Sequence, residues 1–144
     1  MYLDTAILVK LLLPEPDSLY YADLADGQIV YSAEIALTEC HSAMLRKERE
    51  QAITARQRKA AWKQLESDIA GRRINLLPVT RAVLEAANRI LTACQPRIPL
   101  RSLDAVHLGA AQQYASWPLC TADVRMREAA RKMGFIVNPL PPGR

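Results

Sequence analysis

The fold of this chain is decided by the stretch Leu100-Arg-Ser-Leu-Asp104-Ala-Val-His107-Leu-Gly-Ala-Ala111. Ser102 is a good helix N-cap, since its hydroxyl can accept a free backbone N–H of the first turn. Asp104 follows in that first turn, where the positive end of the helix favours an acid. Beyond Asp104 the residues are small or apolar nearly all round. The stretch therefore predicts a buried helix, closely packed by other backbones, with one carboxylate at the rim of the core.

Outward from this helix, short apolar strands alternate with amphipathic helices along the whole chain. The patterns predict strands at 2–3, 28–31, 73–79, 119–121 and 135–138. They predict helices at 6–13, 19–25, 34–47, 54–70, 82–93 and 124–133, and one that follows the Ser102 cap from 103 and ends between 114 and 117. Strands that alternate with helices, with few hairpin signals, indicate a parallel sheet covered on both faces. We expect one α/β domain over residues 1–144, with a short Pro-rich tail at 138–144.

Four acids are predicted to lie at one edge of this sheet. Asp4 and Asp123 each come just after a strand, and ligand sites of parallel sheets lie outside the carboxyl ends of the strands. Asp104 starts a helix on the same side, and Glu39 lies on a small, largely apolar helix face that needs only to lean over this edge. For Asp104 alone, a role restricted to its own helix start remains the simpler interpretation.

A cluster of carboxylates calls for a cation. Like charges repel and raise one another's pKa unless a cation lies between them. Oxygen ligands of this kind suit Mg²⁺, with Mn²⁺ as a second candidate, and a site of this type supports metal-assisted hydrolysis of a phosphodiester. No Gly-rich phosphate loop, Ser/His/Asp order or dinucleotide motif competes with this interpretation, and the two His and three widely spaced Cys do not indicate a zinc site.

The charge and the hydropathy restrict the class of protein further. The formal net charge is +4, and Lys and Arg outnumber Asp and Glu by more than two to one between Arg46 and Arg73. This segment fits a solvated helix face and a surface that attracts nucleic acid equally well. No apolar run is long enough to span a bilayer, and the start Met-Tyr-Leu-Asp lacks the basic region of a secretory signal. We therefore expect a cytoplasmic protein with no membrane partner and reduced, buried thiols.

Four short motifs in order resemble those of PIN-domain ribonucleases, in particular the VapC-type toxins of toxin-antitoxin pairs. The motifs are Tyr2-Leu-Asp4-Thr5, Leu37-Thr-Glu39, Leu103-Asp104-Ala-Val-His-Leu-Gly-Ala-Ala111 and Thr121-Ala-Asp123-Val-Arg-Met-Arg-Glu-Ala-Ala-Arg-Lys-Met-Gly134. The resemblance implies a three-layer α/β/α fold with a small parallel sheet, an acidic Mg²⁺ pocket and endoribonuclease activity. It also implies a homodimer that a cognate antitoxin neutralises.

The resemblance also assigns roles to individual residues. Asp4 and Asp104 match the principal metal-binding acids of the family, and Glu39 and Asp123 match its second and fourth acids. We expect all four to be catalytic, with Asp4, Asp104 and Asp123 on the metal. Thr5 and Thr121 match hydroxyl positions beside the site. His107, on the buried helix, is interpreted as a core histidine with its hydrogen bonds satisfied.

Two other functions have to be weighed against a nuclease. One is a non-catalytic module of the same fold that binds RNA or a protein, although a complete set of acids argues against it. The other is a phosphoacceptor receiver domain, which also holds Mg²⁺ at strand ends. A receiver needs an acid pair after its first strand and a strand-end Lys late in the chain, and this sequence has neither.

Overall fold

Four short strands form one fully parallel sheet in the order β3-β2-β1-β4 in the computed structural model, which describes residues 1–143. In register, Tyr2 lies opposite both Tyr31 and Leu119, and Ala33 lies opposite Leu77. The carboxyl ends of β1 and β4 are therefore adjacent at one edge of the sheet. The strands are β1 (Tyr2–Leu3), β2 (Val30–Ala33), β3 (Ile74–Leu77) and β4 (Leu119–Cys120).

Seven helices cover the two faces of this sheet, as the predicted three-layer α/β/α fold requires. The first four pack on one face and the last three on the other. Their order agrees with the sequence pattern, and most boundaries differ from it by one or two residues. The helices are α1 (Thr5–Leu12), α2 (Ser18–Ala25), α3 (Ala36–Arg49), α4 (Ala55–Ala70), α5 (Arg81–Cys94), α6 (Ser102–Gln113) and α7 (Val124–Lys132).

The alternation of side chains along the strands gives each face its own apolar core. Tyr2 and Leu119 point into the core beneath α5, α6 and α7, whereas Leu3 and Cys120 point into the core beneath α1 to α4. Strands of only two residues suffice here because each buries one side chain on either face. The sheet thus holds β1 and β4, and the acids that follow them, between two packed layers.

Helix α6 is packed as tightly as its small residues predict. A Cβ added at Gly109 would lie 2.6 Å from the carbonyl oxygen of Val83 and 3.0 Å from the backbone nitrogen of Ala87, both on α5. Only a residue without a side chain permits this approach of two helix backbones, and adding one methyl group would force them apart. The contact fixes the position of α6, and with it the acid in its first turn.

Two local predictions were wrong. Helix α6 begins at Ser102 itself, after an N-cap at Arg101 that makes no side-chain capping hydrogen bond, so the Ser102 hydroxyl does not cap it. The predicted strand at 135–138 is reduced to one parallel bridge between Leu119 and Val137. In the part of the chain that the structure describes, its one strand neighbour is β4, which has two residues and offers no longer ladder to join.

The remaining predictions concern the thiols, the membrane and the tail. Cys40, Cys94 and Cys120 are all free and buried, as expected. Among residues 1–143, no helix has the length and apolarity needed to cross a bilayer. The predicted tail ends at Arg144, which lies outside the described residues.

Candidate active site

One cleft of about 490 Å³ is lined by all four predicted acids. Asp4 immediately follows β1, Asp123 comes three residues after β4, Asp104 lies in the first turn of α6, and Glu39 lies on α3. The cleft therefore opens at the carboxyl edge of the sheet, where parallel sheets carry their sites. Thr5 and His107 line the same cleft.

Asp4 is buried and cannot be moved without disturbing the fold. It is the N-cap of α1, and its Oδ1 accepts the backbone N–H of Ile7 at 2.9 Å. Burial raises the pKa of Asp4 above its ordinary value, and the negative charge of Asp104 raises it further. Hydrogen bonds from Thr121 and Ile7 oppose this rise in pKa without cancelling it. The hydroxyl of Thr121, which is buried immediately after β4, therefore lies beside the acids.

Of the four cleft acids, Asp104 has the fewest hydrogen-bond partners within residues 1–143. Its Oδ2 is buried and has no hydrogen-bond partner among the described residues. Burial raises the pKa of Asp104, and the charge of Asp123 adds to this rise, while a backbone hydrogen bond from Arg101 opposes it. A buried carboxylate oxygen without a partner is costly, and it marks the place where a ligand has to supply the missing contact.

Glu39 is held from two sides. His107 Nε2 lies 2.6 Å from Glu39 Oε2, and the Thr5 hydroxyl donates to the same oxygen at 2.5 Å. Burial by itself raises the pKa of Glu39, but the hydrogen bonds and charge of His107, with the Thr5 hydroxyl, bring it below its ordinary value. Glu39 is therefore an ionised and oriented carboxylate.

Asp123 is the N-cap of α7 and pairs with an arginine. Its Oδ1 accepts the backbone N–H groups of Arg125 and Met126, and its Oδ2 lies 3.2 Å from the Arg125 guanidinium. Burial raises the pKa of Asp123, but Arg125 and these backbone groups outweigh burial and hold that pKa below its ordinary value. Asp123 is thus compensated by charge, unlike Asp4 and Asp104.

A chain of ion pairs forms the far wall of the cleft. The buried Lys10 Nζ contacts Asp17 at 2.5 Å and Glu15 at 2.7 Å, and Lys47 contacts Glu15 at 2.8 Å. These pairs tie the segment between α1 and α2 to α3. Arg46 and Arg101 also line the cleft, and within residues 1–143 neither forms an ion pair with an acid. The cleft therefore has an acidic floor and two unpaired arginines at its rim.

The donor set fits a hard divalent cation. Within residues 1–143, no three His, Cys, Asp or Glu side chains are already arranged so that they could hold a metal ion. Mg²⁺ does not require such a set, because it keeps several waters and is commonly bound through one or two carboxylates. The unpartnered Asp104 Oδ2 beside the buried Asp4 carboxylate is the arrangement that a hydrated cation would satisfy.

The prediction that His107 is a buried histidine with satisfied hydrogen bonds is confirmed, but the sequence did not indicate its partners. Its side chain is buried, as expected of a core residue, but its Nε2 contacts Glu39, 68 residues away, and its Nδ1 contacts Tyr2. The three-residue spacing from Asp104 placed His107 near the acids, and nothing local to α6 indicated its partner. The basic segment at 46–73 is partly structural, since Arg58 pairs with Glu48 and Arg73 with Asp68.

Together these features define a small α/β/α protein whose acids meet at the carboxyl edge of a parallel sheet. The family model of the PIN domain matches residues 1–132, and the chain belongs to this family. A relative in Mycobacterium tuberculosis, described as "Ribonuclease VapC46", is 34% identical over 140 residues, which are 95% of this chain and 95% of the relative.

Two solved structures share the fold over almost their whole length. FitAcB from Neisseria gonorrhoeae superposes with a TM-score of 0.71 at 20% identity, covering 96% of each chain. A toxin-antitoxin complex from Klebsiella pneumoniae superposes with a TM-score of 0.64 at 15% identity, covering 96% of this chain and 95% of the other. At these identities the two structures support the fold alone.

Proposed function

We propose that the protein is a metal-dependent endoribonuclease and the toxin of a toxin-antitoxin pair. The observation that carries this proposal is the cleft lined by Asp4, Glu39, Asp104 and Asp123, in which Asp104 Oδ2 has no hydrogen-bond partner within residues 1–143. The relative described as a ribonuclease supports the same chemistry. Asp4, Asp104 and Asp123 would hold the metal, with Mg²⁺ as the first candidate and Mn²⁺ as the second.

When bound, a divalent cation lowers the pKa of a water molecule and stabilises the charge that develops on a phosphate. The chain's own residues do the rest. Glu39, ionised and anchored through Oε2, is suited to accept a proton from the attacking water through its other oxygen. Thr121 and Ile7 hold the Asp4 carboxylate in place, and Arg125 does the same for Asp123.

RNA is the substrate that the rim of the cleft suits. Arg46 lies seven residues, about 10 Å, along α3 from Glu39, a distance that spans one to two backbone phosphates. Arg46 and Arg101 line the cleft and form no ion pair with an acid in the described part of the chain, and arginine binds phosphate through paired hydrogen bonds. We therefore assign them to phosphates that flank the cleaved bond.

The decisive experiment is a cleavage assay on purified protein freed of any partner. We expect RNA to be cut with Mg²⁺ or Mn²⁺ and to remain intact with EDTA. Robust cleavage in EDTA would contradict metal dependence. Binding of RNA without cleavage under every metal condition would favour the non-catalytic module instead.

A matched pair of arginine variants tests the RNA path. Arg46→Ala should weaken RNA binding and reduce the dependence of affinity on salt, since each phosphate contact contributes a slope of about 0.7 for a single strand. Arg49→Ala is the control, because Arg49 is exposed on the same helix but does not line the cleft. Equal losses in both variants would indicate general charge attraction rather than a specific path.

A cytoplasmic antitoxin is the proposed regulator. The apolar end of α1 and the start of α4 border a second groove of about 390 Å³, which includes Leu12, Leu13, Ile53 and Ala61. We propose that an antitoxin segment occupies this apolar surface and presents a basic side chain to the acidic cleft. Copurification from the native host tests this association.

The free protein is proposed to be a homodimer, as symmetric oligomers of this size commonly are. Light scattering at micromolar concentration should then give twice the monomer mass. A monomer mass under these conditions would contradict the dimer and would leave the proposed chemistry of the cleft unaffected.

A further inference from the structure

We propose that His107 is a positioning residue for Glu39, which it holds through an Nε2–H bond while the Tyr2 hydroxyl fixes the imidazole ring. The proposal rests on the proposed function in one respect, namely that Glu39 takes part in cleavage. The contact between His107 and Glu39 is a structural claim that stands apart from it.

The geometry joins three elements that are distant in sequence. His107, on α6, is only 3% exposed, and its Nε2 lies 2.6 Å from Glu39 Oε2 on α3. On the opposite side of the ring, Nδ1 lies 2.7 Å from the hydroxyl of Tyr2, a fully buried residue of β1. Because both ring nitrogens are engaged, the imidazole has no freedom to turn over.

The donors and acceptors determine where the proton on the ring lies. The Tyr2 oxygen accepts the backbone N–H of Ala33 at 3.0 Å. The hydroxyl of the neighbouring Ser32 donates its own proton to the Leu3 carbonyl oxygen. The Tyr2 O–H is thus available to donate to Nδ1. The imidazole proton then lies on Nε2. The Nε2–H donates a hydrogen bond to the Glu39 carboxylate, which can only accept one.

Thr5 completes the arrangement from the start of α1. Its hydroxyl donates to Glu39 Oε2 at 2.5 Å and lies 3.2 Å from His107 Nε2. Both hydrogen bonds to the Glu39 side chain therefore reach the same oxygen. The other oxygen, Oε1, is the one left to act on a water molecule, and its direction is set by the two anchors on Oε2.

A purely structural histidine makes a different prediction from a positioning residue. If His107 only filled the core, replacing it would lower stability without a selective effect on kcat. If it positions Glu39, loss of the Nε2–H must lower kcat while KM stays unchanged, because both ring nitrogens are engaged with Tyr2 and Glu39 and neither is left to bind substrate.

Three variants and one control separate these cases. His107→Leu removes the donor, and we expect kcat to fall by about 10- to 100-fold, the usual cost of losing a partner that orients a site residue. His107→Gln places an amide N–H where Nε2–H lies and should recover most of this loss. Tyr2→Phe keeps the His107 imidazole but removes the hydrogen bond to its Nδ1, so we expect a loss of kcat smaller than that of His107→Leu.

The matched control is His41→Gln. His41 is the other histidine, exposed on α3 and in edge contact with Trp62, with ring centroids 4.9 Å apart. This variant should leave both kcat and KM unchanged. Equal kcat values for His107→Leu and the wild type, with both folded by circular dichroism, would overturn the proposal.

A spectroscopic measurement tests the contact without any reference to activity. In ¹⁵N-histidine-labelled protein, NMR should show His107 with a proton on Nε2, and Glu39→Gln should shift that signal while leaving the His41 signal in place. An Nε2 without a proton, or a His107 signal that ignores Glu39→Gln, would overturn the contact. Because this readout needs no RNA, failure of the proposed nuclease function is distinguishable from failure of the His107 proposal.

Discussion

The two halves of the acidic cleft differ in how their charges are compensated. Glu39 and Asp123 each have a basic partner, His107 and Arg125, and both have a lowered pKa. Asp4 and Asp104 form no ion pair within residues 1–143, and burial raises the pKa of both. The protein thus compensates one pair of acids with its own side chains, Glu39 through a hydrogen bond from His107 and Asp123 through an ion pair with Arg125, and leaves the other pair to a ligand.

This difference teaches more than the count of acids does. Four carboxylates in a cleft can simply be solvated. When two of the four pair with a basic side chain and the other two pair with none in the described part of the chain, the second pair shows where a cation is needed. Of the three expected metal ligands, Asp4 and Asp104 depend on the cation for their compensation and Asp123 does not. Glu39 is the acid that we expect to accept a proton. The predictions below test this division.

The largest expected effect is on catalysis. Asp104→Asn should lower kcat by about 10²-fold or more, as loss of an acid that acts in the reaction commonly does. The same change should leave the metal-free protein equally or more stable, since it relieves repulsion and costs only about 0.3–1 kcal/mol of favourable helix-end interaction. Cleavage kinetics and thermal melts in EDTA measure the two effects.

Asp123→Asn is the matched variant on the compensated side. It should also impair cleavage, but it removes an ion pair with Arg125 and so lowers stability slightly. An active, destabilised Asp104→Asn protein would refute the division, because it would make Asp104 an ordinary helix-start residue.

A smaller effect is expected from metal in the absence of substrate. Mg²⁺ at about 100 times its dissociation constant stabilises a protein by about 2.7 kcal/mol, which raises Tm by several degrees. Asp104→Asn should lose most of this rise, whereas Glu39→Gln should keep it, because Glu39 is not assigned to the metal. Melting curves with EDTA and with Mg²⁺ test the assignment, and equal losses in both variants would contradict it.

The pH dependence of stability should have opposite signs in the two halves, with differences of about 1 kcal/mol or less. The raised pKa of Asp104 means that its carboxyl destabilises the fold increasingly as pH rises above about 4, through the raised pKa. Asp104→Asn should therefore gain on the wild type with rising pH. Glu39, whose pKa is lowered, stabilises the fold above its ordinary pKa and loses this effect as pH falls, so Glu39→Gln should lose ground with rising pH.

Urea titrations from about pH 3 to about pH 7 measure both trends, because the effect of Glu39 is lost below the ordinary pKa of Glu and that of Asp104 develops above the ordinary pKa of Asp. Parallel curves for the two variants would show that the acids do not differ in compensation.

The smallest expected effect comes from a variant at the start of α6 that leaves Asp104 in place. Ser102→Ala should change stability by only a few tenths of a kcal/mol, because Ser102 makes no capping hydrogen bond. Thr80→Ala is the control, since Thr80 does cap α5 by accepting the Val83 N–H, and its loss should cost about 0.5–2 kcal/mol. A large loss of stability for Ser102→Ala in denaturant unfolding would show that the Ser102 hydroxyl does cap α6.

Much of the fold could be predicted because its signals are local. The order of strands and helices follows from the periodicity of apolar residues. The small residues of α6 predicted close packing against another backbone, which is found at Gly109 against α5. The positions of Asp4 and Asp123 after strands placed them at the correct edge of the sheet. Each of these inferences needs only neighbours within a few residues.

What could not be predicted depends on distant partners or on the backbone. Ser102 failed as a cap because α6 starts one residue earlier than the cap pattern implied. The strand at 135–138 failed because Ile136 lies exposed beside a two-residue neighbour. The contact of His107 with Glu39 spans 68 residues, and no spacing within α6 encodes which acid faces its ring.

Because buried cysteines lie in both cores, thiol labelling can measure the opening of each core separately. Cys94 lies in the core beneath α5 to α7, whereas Cys40 and Cys120 lie in the core on the other face of the sheet. Burial raises the pKa of both Cys40 and Cys120 to about 12, so neither thiol reacts until its layer opens. The rates at which a thiol reagent labels each site therefore report the opening of each layer by itself, and they reveal whether the two faces of the sheet come apart together or one before the other.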